Sequence, residues 1–280
     1  MSMRAWVLGV LLVGVVASCR DHAPTVQIGK ILVDASLGDD GVVVDREAVR
    51  AALHDQLETA PKKSILHWAD DGPGLVRAHV MAGRVPPDAH GRPVLVMRLQ
   101  LDAPAASGGR LAFEVTSEQR AESADELPQV LLDAAARQAV RKLGRTLALG
   151  SAPVPELLEV AAGEDRDLRL RAISVLGERR DVAALEPLIQ LLQDKDEAIV
   201  LRAVGALVVL GDPRGVSALT DLTHRRNPSF VRQIVYAVAA IGGREAEAYL
   251  FIVATGHPDP AVQEAARRAQ SELAARPGER

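Results

Sequence analysis

The 280-residue chain has a single cysteine, Cys19, so no disulfide can form within it and the fold must rest on its packed cores, even in an oxidising compartment. It has no excess of positive charge. Lys and Arg number 33 against 37 Asp and Glu, giving a formal net charge of -4 without a long basic run. A duplex binder displaces counterions with clustered cations, so nucleic acid is not an expected partner. The apolar run from Ala5 to Ala17 would span roughly 20 Å as a helix, short of the roughly 30 Å hydrocarbon core, so a permanent transmembrane helix is not expected. Catalytic signatures are missing too. No G-x-S-x-G elbow, Walker loop or G-x-G-x-x-G follows a strand-like run, and no H-x-x-x-H or C-x-x-C pair offers metal-ligand spacing. Neither a metal nor a cofactor is expected, and the chain does not read as an enzyme.

What is present is 48% hydrophobic and 25% charged residues, the balance of a soluble globular protein rather than a disordered one. A domain usually holds about 100 to 150 residues, so this length predicts two, each large enough to bury a core.

The first segment reads as an address. Arg4 precedes the apolar run, small residues end it, and Cys19 follows at once, as in a secretory signal. Val16-Ala17-Ser18-Cys19 resembles the lipobox of bacterial lipoproteins. The resemblance implies that Cys19 is acylated and becomes the first residue of the mature protein. Two or three acyl chains, at about 0.8 kcal/mol per buried CH₂, suffice for stable membrane anchoring. In that family an Asp directly after the cysteine favours inner-membrane retention; here Arg20 takes that place, which leans toward the outer membrane. Residues 1–18 are thus expected to be a signal peptide and 19–24 a tether.

Residues 25–150 read as an α+β domain. Val26 to Asp34 is a strand with at least one apolar face, and Asp45 caps a helix whose Val49, Leu53 and Leu57 recur every four residues before Pro61. Strand-like runs follow at Leu75–Met81, Pro93–Asp102 and Arg110–Thr116. Ser123 and Glu126 form a capping-box pattern opening a long helix, with Leu127, Val130, Leu131, Ala134, Val140, Leu143 and Leu147 on its apolar side. Strands joined by short turns pair antiparallel, so the expectation is a small antiparallel sheet with two helices on one face. In outline this is similar to the small periplasmic domains of penicillin-binding-protein activator lipoproteins and the N-terminal domain of TolB-like proteins. His54, His67, His79, His90 and the Asp70-Asp71 pair are the residues of possible chemistry here, and they read as surface or hydrogen-bonded groups.

Residues 151–280 repeat at an offset of 31. Leu168, Ile199, Phe230 and Ala261 correspond, as do Ala172, Ala203, Ile234 and Ala265, then Leu176, Leu207, Val238 and Ala269. Leu188, Leu219 and Leu250 match behind them, and Arg180-Asp181, Gly211-Asp212 and Gly242-Gly243 mark turns. Self-similarity of this kind predicts a solenoid of helical hairpins, with three and a half to four units. Asp212-Pro213, Asn227-Pro228 and Asp259-Pro260 place a capping side chain before proline, as at helix starts. Arg268 and Glu272 stand at otherwise mostly apolar positions of the last unit, the polar face expected of a capping repeat.

Leu168 through Val182 and Val200 through Pro213 resemble short bacterial HEAT-like repeats of the PBS-lyase type. The resemblance implies that the first helix of each hairpin lines the concave face, exposing Leu170, Arg171, Ser174, Leu201, Arg202, Gly205, Arg232, Gln233 and Tyr236. An apolar ridge edged with arginine suits protein binding, although Leu170 and Leu201 read equally well as core residues with the arginines merely solvated. Tyr236 stands out, since tyrosine is enriched at interface hot spots. Enzymatic relatives of the repeat fit poorly. Metal hydroxylases use His-Glu dipeptides, which this chain lacks, bilin lyases work in the cytoplasm, and DNA glycosylases need a basic groove.

These readings converge on an expectation: a membrane-anchored, periplasm-facing lipoprotein that binds another envelope protein through its solenoid, as scaffold or adaptor. The alternative is an envelope enzyme or small-ligand receptor with a site at the domain junction, near Asp70, His79 and His90.

Overall fold

The computed structural model describes residues 25–36, 44–61, 64–84, 93–105, 108–122, 128–223 and 227–275. The signal and tether, Cys19, His90 and the Ser123–Glu126 capping box lie outside them. Two compact units divide the chain, one up to Ala148 and one from Leu149.

The first unit runs β1 (Val26–Ser36), α1 (Arg46–Glu58), β2 (Leu66–Trp68), β3 (Gly74–Arg84), β4 (Pro93–Pro104), β5 (Arg110–Arg120) and α2 (Pro128–Ala148). Asp45 caps α1 by accepting from the Glu47 amide. The strands form one sheet in the order β2-β1-β3-β4-β5. As expected, β3, β4 and β5 are antiparallel neighbours. β1 departs from the expectation, running parallel to both β2 and β3. The chain leaves β1 through α1 and returns at the same end, the crossover that parallel pairing requires. β2 is an addition to the expected strands, since three residues are too few to show a period of two.

Val49, Leu53 and Leu57 of α1 and Leu131, Ala135, Ala139 and Leu143 of α2 share one buried cluster with Ile28, Val76, Ala78, Val80, Met97 and Leu99 of the sheet. Leu53 and Leu99 are fully buried, each contributing about 1.5–3 kcal/mol of transfer free energy. Ala134, expected on the buried side of α2, is only half-buried.

A register shift between Ile28 and Lys30 lets Ile31 and Val33 continue the buried side that Val26 and Ile28 begin. Gly29 sits in this shift, against the turn before β3. A β-carbon on Gly29 would lie 2.3 Å from the Gly72 carbonyl oxygen, and one on Gly72 would lie 2.8 Å from the Gly29 nitrogen. Both positions therefore demand glycine, and Asp70-Asp71-Gly72-Pro73 forms the turn that the approach fixes.

The second unit is helical throughout: α3 (Val154–Ala161), α4 (Arg166–Arg179), α5 (Leu185–Gln190), α6 (Glu197–Leu210), α7 (Gly215–Asp221), α8 (Pro228–Ile241), α9 (Arg244–Gly256) and α10 (Pro260–Ala274), with short 3₁₀ turns flanking α5. α4 with α5, α6 with α7 and α8 with α9 are the hairpins. Asp165, Asp196 and Asn227 cap the first helices of these hairpins, 31 residues apart, each accepting a backbone N–H. Each such cap stabilises its helix by about 1 kcal/mol. Leu168, Ile199 and Phe230, then Ala172, Ala203 and Ile234, are buried where the repeat requires them.

In the fourth unit the period of 31 persists in the buried places: Val262, Ala265, Ala266 and Ala269 are buried like Val231, Ile234, Val235 and Val238, and of the matched positions Ala261 alone is exposed where Phe230 is buried. The cap is what moves, to Asp259, whose amide donates to His257 Nδ1 at 3.0 Å. Among the described residues no helix is long and apolar enough to cross a membrane.

Candidate functional site

The first helices α4, α6 and α8 stand side by side, and the cap-plus-five, cap-plus-six and cap-plus-nine residues of each fall at equivalent places. On α4 these are Leu170, Arg171 and Ser174, all half-buried, and Leu170 packs against the solenoid core. The reading of Leu170 as a core residue thus fits its surroundings. On α6 they are Leu201, Arg202 and Gly205, and on α8 Arg232, Gln233 and Tyr236, all exposed. Leu201 is 38% and Tyr236 41% exposed, high values for large apolar side chains.

One hydrogen bond joins adjacent repeats on this face, and the other contacts lie within single helices. Arg202 Nη1 donates to Ser174 Oγ at 3.1 Å, and Ser174 Oγ donates to the Leu170 carbonyl at 3.0 Å. Arg232 Nη2 donates to Ser229 Oγ at 3.3 Å. Arg171 Nη1 lies 3.6 Å from Glu178 Oε1. Burial pushes the Arg171 guanidinium below its usual pKa; Glu178 opposes that shift and the neighbouring Arg202 charge adds to it.

Several arginines elsewhere in the solenoid pair with carboxylates. Arg166 meets Asp196 at 2.5 Å, Arg169 pairs with Asp194, Arg214 meets Asp212 at 2.6 Å, and Arg267 and Arg268 reach Glu264 at 3.2 and 2.9 Å.

The α+β unit offers less. Trp68 Nε1 donates to Asp70 Oδ1 at 2.9 Å, and the His54 ring meets Trp68 edge-on at 4.5 Å between centroids. His79 lies on the open face of the sheet, 3.7 Å from Asp34. Asp70 precedes β3, whereas His79 is five residues into it, roughly 17 Å along the strand, so the two do not converge. A shallow cleft of about 290 Å³ is lined by Ile31, Glu47, Arg50, Ala51, His54 and Trp68, but Arg50 is already engaged by Glu47 at 2.6 Å. Among the described residues no cluster of His, Cys, Asp and Glu could hold a metal.

Sequence reasoning missed one exposed feature. Phe251 and Ile252, on α9, are 62% and 65% exposed. The repeat itself carried a signal, because the corresponding residues are Ile189 and Gln190 in one hairpin and Thr220 and Asp221 in the next.

Comparison with known proteins agrees with this architecture in part. Residues 154–239 match the HEAT repeats family, which makes this stretch a HEAT-type solenoid behind an α+β sheet unit. No curated protein has a sequence that matches the chain. Among solved structures, a dodecamer of a point variant of PelC from Paraburkholderia phytofirmans is similar at 10% identity and a TM-score of 0.32, over 46% of this chain and 95% of that one. A Caulobacter crescentus protein provisionally described as a lipoprotein is similar at 21% identity and a TM-score of 0.26, over 44% of this chain and 93% of that one.

Proposed function

We propose that the chain is a membrane-anchored scaffold of the bacterial envelope, tethered through Cys19 and facing the periplasm, which binds another envelope protein with its HEAT-type solenoid. The anchor rests on the lipobox-like Val16-Ala17-Ser18-Cys19. The observation that supports the binding role most is the exposed row Leu201, Arg202, Arg232 and Tyr236 on adjacent first helices, in a repeat whose other large residues are mostly inside. Leu170 and Arg171 would form the half-buried margin of the contact. Such a protein breaks no bond. Anchoring makes its second binding event intramolecular and so raises the effective concentration of its partner.

The test is crosslinking and pull-down from native envelopes, with the intact chain beside Tyr236→Ala and a variant lacking residues 153–280. The expected result is an envelope protein captured by the intact chain and lost in both variants. Capture that survives deletion of the solenoid would move the binding role to the α+β unit.

A further inference from the structure

Charge pairing is uneven among the solenoid's arginines. Off the binding face the arginines at 166, 169, 214, 267 and 268 each meet an Asp or Glu, while Arg179 donates to the Gly150 carbonyl. On it, Arg202 and Arg232 are held among the described residues by the hydroxyls of Ser174 and Ser229, which carry no charge to cancel theirs. Arg202 also stands close enough to Arg171 for the two charges to repel. The exposed Leu201 and Gly205 on α6 and Tyr236 on α8 share this face. Glycine weakens a helix interior, yet nothing in the fold asks for it here: a β-carbon at Gly205 would meet no atom within 4 Å. The face thus combines cations held by hydroxyls, two exposed apolar side chains and a bare stretch of helix backbone.

We infer that this face takes an acidic, extended segment of a partner protein, whose carboxylates meet Arg202 and Arg232 and whose apolar side chain enters above Gly205 between Leu201 and Tyr236. This rests on the scaffold reading and gives its partner a chemistry. Guanidinium groups suit the role because they bind carboxylates through two parallel hydrogen bonds. The spacing follows from the repeat. Neighbouring helices pack about 8–10 Å apart, and an extended chain covers that distance in about three residues, so the segment has the pattern Glu-x-x-Glu with an apolar residue between.

The test measures fluorescence anisotropy with the full-length chain and three labelled peptides: one with two Glu three apart and a Leu between, and versions with Gln or Lys for Glu. The Glu peptide is expected to bind, and its affinity to fall by about tenfold when Arg202→Glu and Arg232→Glu are combined, with a smaller loss for the paired Gln substitutions. Arg244→Glu, on α9, should leave binding unchanged, and circular dichroism should show all variants folded. Equal binding of the Gln peptide, or Glu-peptide binding that survives the double reversal, overturns the inference. So does binding to phosphatidylglycerol vesicles that the reversal abolishes while the Glu peptide never binds. If envelope capture depends on Tyr236 but the Glu peptide does not bind, the inference fails and the scaffold reading stands. If the Glu peptide binds but nothing is captured from envelopes, it is the scaffold reading that fails.

Discussion

Gly177 on α4 lies so close to Ala206 on α6 that a β-carbon built on it would sit 2.7 Å from the Ala206 α-carbon. The two helices approach backbone to backbone at that point, and the first two hairpins stack through it. Gly177→Ala should force them apart and destabilise the solenoid by about 1–3 kcal/mol, the usual cost of overpacking. Gly205→Ala, one helix on, has open space above it and should stabilise by about 0.5–1 kcal/mol through helix propensity alone. Urea denaturation of the two variants checks the contrast, and shifts in the same direction would contradict it.

Arg180 ends α4 in the left-handed region, with φ of 51°, where the equivalent ends of α6 and α8 carry Gly211 and Gly242 at φ of 72° and 78°. A side chain there strains the backbone by about 1–2 kcal/mol, part of which glycine returns as unfolded-chain entropy. Arg180→Gly should therefore raise stability by roughly 0.5–1 kcal/mol. A lower urea midpoint in this variant would count against the assignment of strain.

Acid should loosen the solenoid at the seam between its first two hairpins. The hydrogen bond from Arg169, helped by the Asp196 amide, holds the Asp194 carboxyl below the usual carboxylate range, and that from Arg166 does the same for Asp196. A carboxylate whose pKa is lower folded than unfolded stabilises the fold above its unfolded pKa, and that contribution is lost as pH falls through the folded value. Stability should thus be flat near neutrality and decline from about pH 4 downward. Asp194→Asn should flatten part of this decline while lowering stability at pH 7. An unchanged acid profile in the variant would show that the seam does not titrate.

Much of this was legible in the residues. The strands β3 to β5 showed through alternation, α1 through its cap and four-residue spacing, and the hairpins through the period of 31. What stayed hidden depends on contacts distant in sequence. Parallel pairing of β1 is decided by where the chain returns after α1, which no local pattern records. The shift of the α10 cap to Asp259, which leaves Ala261 exposed where Phe230 is buried, depends on where α9 stops. At the candidate site, the exposed row followed from the repeat offset. That Leu170 and Arg171 turn partly inward while Leu201 and Arg202, at the same offsets, do not is a property of their neighbours. The contrast between carboxylate-paired and hydroxyl-held arginines needed the side-chain positions themselves.

The anchor is testable apart from the solenoid. Cys19→Ala should abolish incorporation of labelled palmitate and shift the protein from the membrane to the soluble envelope fraction. Palmitate labelling that persists in the variant would contradict the lipid-anchor reading.

The most direct test of the central claim is site-specific photocrosslinking in intact cells, with a photoreactive phenylalanine analogue placed at Tyr236 on α8 or at Ser217 on α7, both exposed. The account predicts one envelope protein crosslinked from position 236 and none from position 217. Crosslinks from 217 alone, or the same protein from both positions, would contradict a partner seated on the first-helix face.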